Sequence, residues 1–193
     1  NSKKSSFLVN VYLMDYTNQL VLTGAINDVG APIRENVGKS SRLGIELDGN
    51  FTLSSQWTGQ PTLTLSSNRN HDYYFERDGK LTDLGNTHLS FSPAVVAGNI
   101  ITYQPKSNWK LALLTKHVGE QYIGNIDSDN SKLSAYTISD LNIAYQILPM
   151  GIFKSLNISL LVNNILDIKY VSNGYFYTFD DDYSDPGKIT TIE

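Results

Sequence analysis

Three histidines, His71, His88 and His117, and the carboxylates of FDDDYSDPG, Asp180, Asp181, Asp182 and Asp185, are the side chains whose types could hold a metal or move a proton. The histidines lie far apart, two of them in or beside polar stretches. No HExxH or His-rich spacing joins them to a carboxylate pair, so they read as solvated side chains. The clustered aspartates offer the oxygen ligands that hard cations such as Ca²⁺ favour, but without the spacing of a known calcium loop. A solvated, self-repelling loop is the expectation there. The chain has no Cys, which removes disulfides and thiolate metal sites. It also lacks a GxSxG elbow, a P-loop and a dinucleotide fingerprint. Neither an enzyme, a metal centre nor a cofactor is expected.

A second set could grip a ligand by charge, hydrogen bond or ring: Arg42, Glu46, Asp48, Lys116, Glu120, Asp140 and Asn142, with Tyr73 and Tyr74 as an aromatic loop pair. Ordinary lining of a wet interior is the blander role for the same residues. Most of them occupy alternate positions of two-faced segments. In SSRLGIELDGNFTLSS (40–55), Leu43, Ile45, Leu47, Phe51 and Leu53 alternate with Arg42, Glu46, Asp48 and Asn50. In AYTISDLNIAYQIL, Leu141, Ile143, Tyr145 and Ile147 alternate with Asp140, Asn142, Ala144 and Gln146. Period two is the signature of a strand with unlike environments on its two sides.

The composition, rich in Tyr, Ser, Asn, Leu, Ile and Thr and poor in Met, favours sheet over helix. The formal net charge of −4, without a basic cluster interleaved with aromatics, argues against nucleic acid as a partner. Candidate strands are Ser6 to Tyr16, the 40–55 segment, PTLTLSSNRN, HLSFSPAVVAGNIITYQP, KLALLTKHVGEQY, AYTISDLNIAYQIL and NISLLVNNILDIKY. Polar stretches at 25–40, 68–86 and 123–133 read as loops. QWTGQP (56–61), KSNW and PMGIFKSL read as short turns. Pro93 marks a bulge or a weak pairing position, and a bulge near Gly119 would reset the parity of Tyr122.

The result is an all-β, antiparallel, up-and-down meander of about seven strands, with short turns at one end and long loops at the other. Outer-membrane barrels share that asymmetry. Phe91 and Tyr103, read as one strand, would be separated by about 30 Å along a barrel axis, one at each edge of an apolar band. Trp57, Trp109 and Phe153 would form the girdle at the short turns, and Tyr16, Tyr122 and Tyr170 the one at the long loops. A soluble antiparallel sheet that binds a ligand, as a sandwich or lipocalin-like barrel, fits the same alternation if other strands of this chain cover the oily face. A hydrolase on a β scaffold is the third reading. The opening NSKKSSF, without an initiator Met or cleavable leader, reads as an internal piece or a processed form.

Five segments in series carry a family resemblance: VNVYLMDYTNQLVLTG, IRENVGKSSRLGIELDG, LSFSPAVVAGNIITYQP, LLTKHVGEQYIGN and LLVNNILDIKYVSNGY. They resemble the late strands of TonB-dependent outer-membrane receptors of the Bacteroidetes type, in the right order and over nearly the whole chain. The resemblance implies that residues 1–193 are part of one transmembrane β-barrel domain, without its plug domain and final strand. It implies a bacterial outer-membrane location, with lipid against Leu43, Ile45, Leu47, Phe51 and Leu53, and Arg42, Glu46, Asp48 and Asn50 facing the lumen. It further implies TonB as partner through the plug region, and uptake of a scarce small molecule such as an iron chelate, cobalamin or glycan.

Overall fold

The computed structural model describes residues 5–77, 80–147 and 154–175. Phe153 and the Asp180 to Asp185 run lie outside the described residues. Among the described residues the strands are β1 (Ser6–Ile26), β2 (Pro32–Thr52), β3 (Trp57–Arg77), β4 (Lys80–His88), β5 (Val95–Tyr103), β6 (Trp109–Val118), β7 (Gln121–Tyr122), β8 (Lys132–Leu133), β9 (Tyr136–Ile147) and β10 (Leu156–Val162). The main sheet runs β1-β2-β3-β5-β6-β9-β10, each strand antiparallel to its neighbour. β4 pairs with the far half of β3, and β7 and β8 form a separate two-stranded ribbon. The expected meander of about seven strands is therefore the path of the main sheet, with β1 and β10 as its two edges.

Directly paired residues of adjacent strands project to one side, so the register composes each face. One row on the oily face is Phe51, Gly59, Ile101, Leu113, Leu141 and Val162. The next is Trp57, Tyr103, Leu111, Ile143 and Leu160. Further along, Val11, Ile45, Leu65 and Val95 form another. Leu43 is 51% exposed and Leu160 58%; no described segment of the chain covers this face, so the cover required by a soluble sheet is not provided by these residues. From Leu43 to Leu53 the face runs about 33 Å of strand, or about 25 Å along the axis at a tilt of about 40°, the height of a barrel's apolar band.

Aromatic rings close the band at the short-turn end. Trp57 stacks on its cross-strand partner Tyr103 with centroids 4.4 Å apart, and Trp109 meets its partner Tyr145 at 4.6 Å. Tyr103 pairs with Leu111, so the second ring pair is offset by two residues toward the turns. Two residues span about 6.6 Å along a strand and two strand spacings about 9.6 Å across. Both ring pairs then share one height at a tilt of about 35°, within the range of membrane barrels.

Several sequence-based boundaries move. The stretches 25–40 and 68–86, read as loops, are mostly strand: β1 and β2 are joined by residues 27–31 alone, and β3 continues into the β3–β4 hairpin. Polar and apolar residues are mixed on both of their faces, which erases the period-two contrast without preventing backbone pairing. The turn expected at 56–61 lies at 53–56, where Ser54 Oγ accepts hydrogen bonds from the backbone N–H of Gln56 and Trp57, both 3.2 Å. Pro61 is in β3 opposite Asn99, a central position that lacks one ladder donor. Phe91 is not on β5; it occupies the connection before it, with φ 49°, so the 30 Å separation from Tyr103 along one strand does not apply. β6 ends at Val118, and Tyr122 leaves the main sheet altogether. The girdle expected from Tyr16, Tyr122 and Tyr170 is not on the oily face: Tyr16 pairs with Ser40 on the polar side, Tyr122 packs against His88, and Tyr170 stacks on Tyr136. A small core of Val21, Val37, Tyr73 and Leu89, with Phe75 and Ile126 against it, fills the long-excursion end.

Candidate functional site

The opposite face of the wall is built by the same register. Asp48, Thr62, Gly98, Lys116 and Ile138 form one row, and Asn50, Gln60, Ile100, Leu114 and Asp140 are on the neighbouring one. Gly98 lies at the centre; a Cβ there would stand 2.9 Å from Thr62 Oγ1. Around it the face holds a hollow of ≈ 500 Å³ lined by Asp48, Thr62, Lys116 and Asp140 among others. Two carboxylates and an ammonium around one hollow suit a polar ligand group or a polar side chain of another segment.

Of the residues expected to face a ligand, Asp48, Lys116 and Asp140 are thus brought together. Asp140 is half-buried, and its Oδ1 accepts from the backbone N–H of Asn164 at 2.7 Å. Asn142 shares the face and donates to Ser159 Oγ at 3.2 Å. Glu46 accepts from Asn10 Nδ2 at 2.9 Å. Arg42 reaches Asn68 Oδ1 at 3.4 Å and Ser92 Oγ at 3.3 Å, tying the wall to the β4–β5 connection. The remaining three differ from expectation. Tyr73 and Tyr74 belong to β3, not to a loop; Tyr73 is buried and donates its hydroxyl to Glu35, while Tyr74 is exposed. Glu120 lies beyond β6 and forms an ion pair with Lys132 at 2.7 Å, off the wall. That hydrogen bond holds the Lys132 ammonium above its usual range.

The rim of this face was not legible in the sequence. Asn70 and Asn125 are fully buried and join three excursions. Asn70 Nδ2 donates to Thr87 Oγ1 and Asn125 Oδ1, at 3.1 and 3.3 Å. Asn125 Nδ2 donates to the carbonyl of Leu22 at 2.9 Å, and Asn125 Oδ1 accepts from the N–H of Ser90 at 2.9 Å. Asp127 shares a hydrogen bond with His88 Nδ1 at 2.9 Å and accepts from its backbone N–H at 2.8 Å. Isolated asparagines in polar stretches carry no periodic signal that would mark them as buried. Burial then lifts the Tyr73 hydroxyl far above its ordinary range, with the Glu35 hydrogen bond acting in the same sense. Among the described residues no group of three or more His, Cys, Asp or Glu is placed to hold a metal; His71 shares a hydrogen bond with Ser41 and His117 with Thr137.

The family model described as TonB dependent receptor-like, beta-barrel matches residues 1–165. The siderophore receptor PiuA from Acinetobacter baumannii is similar in structure, with TM-score 0.66 and 18% identity over 97% of this chain and 24% of that one. So is the ferric yersiniabactin uptake receptor FyuA from Yersinia pestis, with TM-score 0.64 and 15% identity over 91% of this chain and 24% of that one. The ferric-catecholate import receptor Fiu from K12 E. coli follows, with TM-score 0.61 and 17% identity over 88% of this chain and 22% of that one. At these identities the likeness is one of fold, and the chain spans about a quarter of the length of the receptors it matches. No curated protein sequence matches it.

Proposed function

We propose, from the premise that the chain belongs to the TonB dependent receptor-like β-barrel family, that it is a stretch of barrel wall in a bacterial outer-membrane receptor that takes up a scarce small molecule with energy delivered by TonB. The family is one of receptors, not enzymes. On this reading residues 1–193 belong to one barrel domain of a longer protein of the Bacteroidetes type, whose plug contacts TonB. Outer-membrane lipid covers the oily face, and the Gly98 hollow with Asp48, Lys116 and Asp140 faces the lumen. The similar structures include siderophore, ferric-catecholate and ferric yersiniabactin receptors and a copper transporter, which supports a metal or its chelate ahead of cobalamin or a glycan.

The observation that carries the reading is the uncovered apolar face continuous across the main sheet and edged by the Trp57–Tyr103 and Trp109–Tyr145 pairs. Single cysteines at Leu43, Ile45 and Leu47 and at Arg42, Glu46 and Asp48, placed in a full receptor whose other cysteines have been replaced, test it directly. Labelled with a fluorophore in the full receptor in lipid vesicles, the first three are expected to be quenched by spin-labelled acyl chains and the second three by aqueous iodide. Equal response at all six would remove the lipid-facing assignment. Ligand-dependent growth of a strain lacking the receptor tests uptake independently.

A further inference from the structure

We infer that the pocket between the end of β1 with the start of β2, the Phe91 turn and residues 172–175 binds an uncharged, planar aromatic portion of a small molecule, a reading that rests on the receptor function proposed above. Phe91 adopts φ 49°, a left-handed conformation that is an outlier for a bulky residue and costs about 1–3 kcal/mol. Gly or Asn would have met the same turn without that cost, so what the strain retains is the ring.

The surroundings hold the turn firmly. Phe91 N–H donates to the Tyr122 carbonyl at 2.8 Å. Ser90 Oγ donates to the Leu22 carbonyl at 2.6 Å, and Ser92 Oγ to the Ser90 carbonyl at 3.0 Å. With the Asn125 bond to Ser90 N–H, the turn is fixed from two neighbouring excursions, and Phe91 is presented in a preformed position.

The ring lines a cavity of ≈ 670 Å³, within the size range of small-molecule pockets. Leu22, Ile26 and Pro32 supply apolar wall, and Gln121 and Asn173 supply neutral hydrogen-bonding groups. Among the described residues no charged side chain lines it. An ion entering would lose water without gaining a counter-charge, whereas a neutral ring gains burial and an aromatic contact. Arg42 reaches the same turn through Ser92 Oγ, so a charged remainder of the molecule would extend over the polar face of the wall while its ring stays in the pocket.

The test uses the full receptor with para-fluorophenylalanine at position 91, titrated in detergent with indole, benzoate and benzylammonium while the fluorine resonance is followed. Indole is expected to give a saturable shift, and the two ions none. Ile26→Asp should weaken indole about tenfold or more and make benzylammonium produce a saturable shift. No saturable shift with indole, equal shifts from all three probes, or an indole titration indifferent to Ile26→Asp would each overturn the assignment. Such a result with ligand-dependent growth intact would remove this pocket and leave the receptor reading standing.

Discussion

The ring of Tyr12 lies over Gly44, its direct cross-strand partner: a Cβ at position 44 would stand 2.5 Å from both Cζ and the hydroxyl oxygen. A glycine inside a long strand is ordinarily a weak point; here an aromatic side chain from the neighbouring strand covers it.

Gly44→Ala should therefore force the ring aside and cost about 1–3 kcal/mol. In a Tyr12→Ala background the same change should cost little, since the clash is gone. Urea unfolding of the four members of this cycle in lipid vesicles measures the coupling, and additive costs would show that the ring and the glycine are independent.

The chain has two tryptophans, Trp57 and Trp109, and both belong to ring pairs at the short-turn end. Both should be quenched by lipids carrying a quencher near the headgroup and spared by one at the bilayer centre. Single-Trp variants should report the same depth within error, because the two-residue offset compensates for strand tilt. Different depths would refute the common level.

Tyr73 gives the long-excursion end a pH dependence. Its hydroxyl pKa is raised well above the ordinary value of 10.0, by burial first and by Glu35 second. A raised folded-state value means that the stabilisation is complete below the unfolded value, near pH 10, and is lost as pH rises through the folded value. Tyr73→Phe should remove a late-ionising phase from the phenolate absorbance and flatten alkaline unfolding. An unchanged titration would contradict the buried Tyr73–Glu35 pair.

Asn125→Ala should leave the Ser90 N–H without its acceptor, while the Leu22 carbonyl keeps Ser90 Oγ as a donor, at a cost of about 1–3 kcal/mol. The expected readout is faster hydrogen exchange at Ser90 and Phe91, with exchange in β5 and β6 unchanged. If exchange rises uniformly through the sheet instead, the residue supports the whole wall rather than its rim.

The wall was legible in the sequence and the excursions were not, for one physical reason. Between Leu43 and Leu53, and between Leu141 and Ile147, the two sides of the strand meet unlike surroundings, so the residue types alternate. Beyond Lys39 on β2 and His71 on β3 the same strands continue with polar and apolar residues mixed on each side, and a small local core of Val37, Tyr73 and Phe75 replaces the period-two contrast. Phe91 illustrates the other limit: residue type gave no warning of a left-handed turn, so its parity was carried through Pro93 onto a strand it does not share. The hollow at Gly98 was invisible because its lining comes from five strands far apart in the chain.

The two borders of the main sheet are unequal, β1 having 21 residues and β10 only 7. Zipping one to the other would strand most of the longer border without hydrogen-bonding partners, a penalty that disfavours these strands curling into a miniature cylinder of their own. Each border instead asks for a mate of matching length, so staple cross-links engineered along β1 should trap a neighbour over its full extent, whereas those on β10 should catch one only across a short overlap.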